Sequence, residues 1–159
     1  MMRNPYFRIV YGSITSCHML NPEWDKPLVT SSSNRNAHYY SEEVMNAQAS
    51  ALGEACAKAI EQSGKRVVLI SSHSLSHRHF VTESPLPEDM SREHIYNPSQ
   101  YVWDMKLVDL MRHGKMQEVI DIMPEFTEQT IAETEAGGLT WMMAAMGYPK
   151  YPAEILRLF

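Results

Sequence analysis

The stretch from Ser41 to Ile70 constrains the fold of this chain more than any other. Ser41 is a favourable N-cap, and Glu42 and Glu43 follow it in the first turn, where the helix dipole favours acids. Val44, Met45, Leu52, Ala55, Cys56, Ala59 and Ile60 recur near the 3.6-residue period, which predicts an amphipathic helix over 42–63. Gly64 is the expected terminator. Lys65-Arg66 then lead into the apolar run Val67–Ile70, too continuous for a half-exposed antiparallel strand and suited to a parallel strand covered on both faces. A second strand is predicted over 6–11 (YFRIVY), and a short one at Leu28-Val29-Thr30 after Pro27. Strand, long helix, strand is a βαβ unit, whose ligand-binding groups lie beyond the carboxyl end of the second strand.

Around that unit, residues 12–26 read as a long loop carrying His18 and Trp24, and residues 83–99 as a proline-containing loop. Tyr101–His113 is amphipathic and stops at Gly114; a short helix over Met116–Ile122 ends at Met123-Pro124. A last helix is expected from near Glu125 to Met146, interrupted at Gly137-Gly138, since each helical Gly costs on the order of 1 kcal/mol. The expected fold class is therefore α/β, a mainly parallel or mixed central sheet with helices on both faces, in a single domain over 1–159.

Composition narrows the function. A hydrophobic content of 44% with 21% charged residues is that of a soluble globular protein. The net charge of −5 argues against a nucleic-acid partner, whose phosphates require clustered Lys and Arg. No apolar run approaches the roughly 18 residues of a membrane span. Cys17 and Cys56 form no CxxC, so a reducing cytoplasm is the expected location. The apolar ends, MMRNPYFRIVYG and YPAEILRLF, admit two readings: a terminal helix docked on the core, or an excerpt of a longer chain.

The chemistry concentrates in SSHSLSHRHF, residues 71–80, directly after the apolar run. A serine hydrolase is disfavoured, because there is no GxSxG elbow and a catalytic Ser and His normally come from distant segments. A local zinc site at His73, His77 and His79 would need helical spacing for one pair and strand spacing for the other, and HExxH is absent. One histidine acting as general acid/base asks for less, since an imidazole with a pKa of about 6.5 suits proton transfer near neutral pH. Residues alone leave that reading open beside the plainer one, loop histidines satisfied by backbone groups. His18 could project over the same sheet edge as His77. Glu133 and Glu135 precede the Gly pair, and carboxylate with imidazole suits divalent iron or manganese, although a helical Glu is usually a solvated face.

Taken together, SSHSLSHRHF, LPEDMS (86–91), YVWDMKLVDLMRHGK (101–115), AETEAGGLTWMMAAMGYP (132–149) and the upstream MMRNPYFRIVYGSITSCHMLNPEWDKPLV resemble one family. It is the class III, LigB-type, extradiol ring-cleavage dioxygenases, and within it the aminophenol-cleaving members. The resemblance runs co-linearly over essentially the whole chain. It implies a LigB-like sheet and Fe(II)-dependent cleavage of a catechol or 2-aminophenol by O₂ in aromatic catabolism. The partners implied are a small aromatic substrate, O₂ and further subunits of a homo- or hetero-oligomer. The family's acid/base histidine, which closes its SLSH motif, falls at His77. Its metal-binding Glu falls at Glu133, with Glu135 as fallback; His18, Tyr11 and His79 take substrate-pocket positions, and His73 carries less weight.

The sequence departs from the family pattern in one respect. Two iron-binding histidines, in HPPH-like and SPHW-like stretches, have no counterpart here. The resemblance thus implies the middle-to-late part of a longer subunit, incomplete at both ends, whose activity needs the absent histidine segment. The alternative is a non-catalytic subunit or truncated fragment that keeps the fold and serves as an assembly partner.

Overall fold

Helix α2 (Glu42–Ser63) starts and stops where side-chain chemistry favours it. Ser41 is extended and its Oγ accepts from the Val44 amide at 3.4 Å, satisfying one of the first-turn donors that have no partner within a helix. At the far end Gly64 takes φ 62°, a left-handed conformation open to glycine, and its N–H donates to the Glu61 carbonyl at 3.2 Å. The computed structural model describes residues 11–31, 41–76, 97–130, 132 and 137–156. The other helices among them are α1 (Tyr11–Leu20), α3 (Pro98–Arg112), α4 (Met116–Asp121), α5 (Met123–Thr130) and α6 (Gly137–Ala145).

The expected α/β sheet is overturned for these residues: they are helical, and no strand occurs among them. Of the predicted strand at 6–11, residues 6–10 lie outside the described residues, and Tyr11 opens α1 instead. The segment read as a loop over 12–26 is thus helical as far as Leu20. Leu28 and Val29 are exposed and Val29 is 97% accessible, so no backbone among the described residues covers the second predicted strand. Val67–Ile70 has no ladder either, and Val68 is 80% exposed where a strand covered on both faces was expected. The physical reason is common to these segments. A helix closes its hydrogen bonds within itself, whereas a strand exists only when another stretch of backbone lies beside it. None of these segments has such a stretch among the described residues.

Helix boundaries follow the sequence more closely. Asn97 caps α3, its Oδ1 accepting from the Ser99 and Gln100 amides at 3.1 and 3.3 Å, with Pro98 in the first turn where its missing N–H costs nothing. Helix α3 ends at Arg112, and Gly114 turns the chain with φ 70°. The predicted break at Gly137-Gly138 is the start of α6. The single helix expected from Glu125 divides into α5, which starts at Met123, and α6.

The core is built by α3 to α6. Leu107, Met116, Val119, Met123, Phe126, Ala132, Leu139 and Met143 are buried together, and Leu75 and Trp103 pack on them. Each such large side chain contributes about 1.5–3 kcal/mol on leaving water. Helix α2 lies along α6. Its buried stripe is Met45, Ala49 and Gly53, not the larger apolar set read from the sequence, of which Val44 and Leu52 are exposed. Gly53 permits the approach: a Cβ there would lie 2.4 Å from the Trp141 carbonyl oxygen and 2.7 Å from Ala144 Cβ.

Candidate functional site

The run Ser71–Ser76 follows Val67–Ile70 and is held on several sides by helices. The first turn of α1 meets it at Ser72, where a Cβ on Gly12 would be 3.0 Å from the serine Oγ. The first turn of α6 meets it at Ser71, where a Cβ on Gly138 would be 2.6 Å from Oγ and 3.7 Å from His73 Cδ2. Glycine at the second position of each helix lets both helix starts close on the run. His73 is half-buried, and its Nδ1 lies 2.9 Å from the Ser74 carbonyl oxygen.

The end of the run is fixed from α3. Ser76 is 6% exposed and Asp104 8% exposed. The Ser76 amide donates to Asp104 Oδ1 at 3.0 Å, and its hydroxyl donates to Oδ2 at 2.5 Å. One carboxylate therefore grips both polar groups of one residue, with charge-assisted bonds that are stronger than neutral ones. A turn earlier on the same helix face, the buried Gln100 donates from Nε2 to the Thr130 carbonyl, the last residue of α5, at 3.0 Å. Thr130 is itself fully buried, its hydroxyl donating back to the Phe126 carbonyl at 2.7 Å.

Of the residues expected to carry chemistry, His77, His79, Glu133 and Glu135 lie outside the described residues. His77 follows Ser76 directly in the chain, and Glu133 comes three positions after Thr130. Tyr11 opens α1 beside Gly12. His18, in the last turn of α1, is exposed, and its ring stacks on Trp24 at 6.4 Å between centroids with 28° between planes. Among the described residues no group of three His, Cys, Asp or Glu side chains could hold a metal ion, so they supply no donor set for Fe(II). A cleft between α2 and the α4–α6 layer is lined by Glu43, Asn46, Ser50, Met123, Pro124 and Thr140. Among these, Glu43 alone is titratable, too little for acid/base work.

Sequence reasoning missed Asp104 and Gln100. The signal was present: Gln100, Asp104, Leu107 and Val108 share one helix face, and a carboxylate and a carboxamide on a face that is otherwise apolar need buried partners.

Similarity to known proteins places this arrangement. Residues 40–157 match the family described as the catalytic LigB subunit of aromatic ring-opening dioxygenase. The chain is 49% identical over 155 residues, 98% of its own length, to the 2-aminophenol 1,6-dioxygenase beta subunit of Pseudomonas sp, of which the match covers 51%. It is 27% identical over 154 residues, 97% of its length, to the 3,4-dihydroxyphenylacetate 2,3-dioxygenase of Escherichia coli, with 52% of that protein covered. The chain thus spans about half the length of the curated relatives it matches. No helix among the described residues is long and apolar enough to cross a membrane. The family resemblance read from the sequence is therefore borne out, and the chain belongs to the LigB family of aromatic ring-opening dioxygenase catalytic subunits.

Proposed function

We propose that this chain serves the extradiol opening of 2-aminophenol by O₂, with catechols as the next substrate class, in cytoplasmic aromatic catabolism. The observation that carries the reading is the 49% identity, over nearly the whole chain, to a subunit named for 2-aminophenol cleavage, against 27% to one named for a catechol-type substrate. His77 takes the proton from the ring's second OH or NH group and returns it during ring opening, a role for which imidazole is the usual side chain near neutral pH. His18, Tyr11 and His79 orient the ring substituents. Glu133, with Glu135 as fallback, is this chain's contribution to an Fe(II) site whose two further histidines this sequence lacks. The site works within a homo- or hetero-oligomer; the relative's name as a beta subunit supports a multi-subunit assembly.

The test is oxygen uptake and iron content, measured on the chain alone and with the histidine-bearing segment of a relative added. Uptake is expected with the added segment, faster on 2-aminophenol than on catechol, and lower by about 10²–10⁴-fold in His77→Ala. Uptake that survives His77→Ala unchanged overturns the acid/base assignment. Iron-free protein with no uptake under either condition overturns the catalytic reading and leaves the assembly role.

A further inference from the structure

We propose that Gln100 and Asp104 are positioning residues, and that α3 is the strut through which they hold the two segments leading to the reacting groups. The inference rests on the functional reading above for what those segments carry, but on geometry alone for the holding. Gln100 and Asp104 are separated by one helical turn and lie on the buried face of α3. Asp104 reaches a residue 28 positions earlier in the chain, and Gln100 one 30 positions later. A single rigid helix thus fixes Ser76 and Thr130 relative to each other.

The grip on Ser76 is of a kind that orients backbone. Two bonds from one carboxylate, to the amide nitrogen and to Oγ, set both the position and the rotation of the residue. The next Cα, that of His77, is only about 3.8 Å further along a planar peptide. The grip on Thr130 is a single bond to the final carbonyl of α5, a group that has no acceptor role left within its own helix. It fixes the carbonyl on which α5 ends, three positions before Glu133 in the sequence. Neither contact is needed to fill space, since an apolar residue of similar size would occupy positions 100 and 104; what it would leave behind is a buried Ser76 amide and hydroxyl, or a buried Thr130 carbonyl, without its partner. What the polar pair adds is registry, and a misplacement of about 1 Å at a reacting group can cost on the order of 10²-fold in rate.

Two measurements on the full chain test this. The first is amide hydrogen exchange by NMR on ¹⁵N-labelled protein, which needs no activity. Asp104→Ala is expected to speed exchange at the Ser76 amide by about 10–100-fold, the loss of a charge-assisted bond. Asp104→Asn keeps an acceptor for the amide and a donor for Oγ, and is expected to stay within about 3-fold of wild type. Gln100→Met is expected to speed exchange in the last turn of α5 and leave Ser76 unchanged. Val119→Ala, a core truncation that removes neither grip's hydrogen bonds, is the control for general loosening and should not single out Ser76. The second is kinetics on the preparation that takes up oxygen: Asp104→Ala should lower kcat by about 10–100-fold with KM within about 3-fold, and Asp104→Asn should restore it. Unchanged Ser76 exchange in Asp104→Ala, or equal acceleration in Val119→Ala, overturns the strut. If Ser76 exchange responds as expected while His77→Ala retains activity, the strut stands and the acid/base assignment falls.

Discussion

Gly53→Ala is the sharpest test of how α2 is seated. In an exposed helix interior this substitution stabilises, by about 1 kcal/mol, because alanine is the better helix former. Here the new Cβ would lie 2.4 Å from the Trp141 carbonyl oxygen, 2.7 Å from Ala144 Cβ and 2.9 Å from the Ala145 nitrogen, distances that real Cβ atoms essentially never show. Two of those three atoms are backbone, so no side-chain rotation relieves them. α2 and α6 would have to separate by about 1 Å to restore ordinary contact at 3.5 Å or so, forfeiting a quarter to a half of each dispersion contact along the stripe. Overpacking of this kind costs about 3 kcal/mol at its upper range, and the propensity gain offsets about 1. The expected net loss is about 2 kcal/mol, which lowers the Tm of a chain this size by about 4–8 °C. Urea titration and thermal melting followed by far-ultraviolet circular dichroism read it directly. Adding Ala144→Gly removes the 2.7 Å contact but not the 2.4 Å one, so recovery should be partial. A Tm that rises in Gly53→Ala, or recovers fully in the double variant, would refute the close backbone approach.

Two further comparisons use the same assay. Gly64 and Gly114 both sit at positive φ, 62° and 70°, but a Cβ on Gly64 meets nothing whereas one on Gly114 would be 2.6 Å from the Lys150 carbonyl oxygen. Gly64→Ala should therefore cost only the left-handed penalty, about 1–2 kcal/mol, and Gly114→Ala clearly more; equal costs would contradict the packing of residues 150–151 on the α3–α4 turn. Phe126, 1% exposed in the centre of the core, should cost about 3–5 kcal/mol on truncation to Ala, a value below about 1 arguing against its burial.

What the sequence discloses divides along the range of the interactions involved. Ser41, Gly64 and Gly114 set helix ends through bonds that reach only a few residues, and the ends around them are readable from a short window, whereas α3 starts at Pro98 behind the cap Asn97, inside the stretch read as a loop. The stripe Met45, Ala49, Gly53 is less so, because small residues are chosen by a neighbour, α6, that a window does not contain. Val67–Ile70 is the extreme case. Its composition suits a strand, but composition cannot supply the second backbone that makes one, and none lies beside it among the described residues. The family was readable because co-linear agreement over the whole chain depends on no single contact.

The site shows the same division from the other side. His77 stands out by motif and chemistry, which are local, while Asp104, which steadies its neighbour Ser76, stands 28 positions away, and Gln100 holds Thr130 from 30 positions before it. Asp104 falls in the amphipathic stretch Tyr101–His113, where a charged residue is by default on the solvated face, and Gln100 lies just before that stretch. Their helical phase says otherwise: counting from Leu107 and Val108, positions 104 and 100 fall on the buried side. A polar residue in phase with the core is the sequence signature of a buried grip, because a group placed there without a partner would cost about 1–3 kcal/mol. Ser76 and Thr130 are those partners, one on each side of α3 in the chain. The helix that looks least chemical in the sequence therefore joins the two segments that lead to the proposed reacting groups.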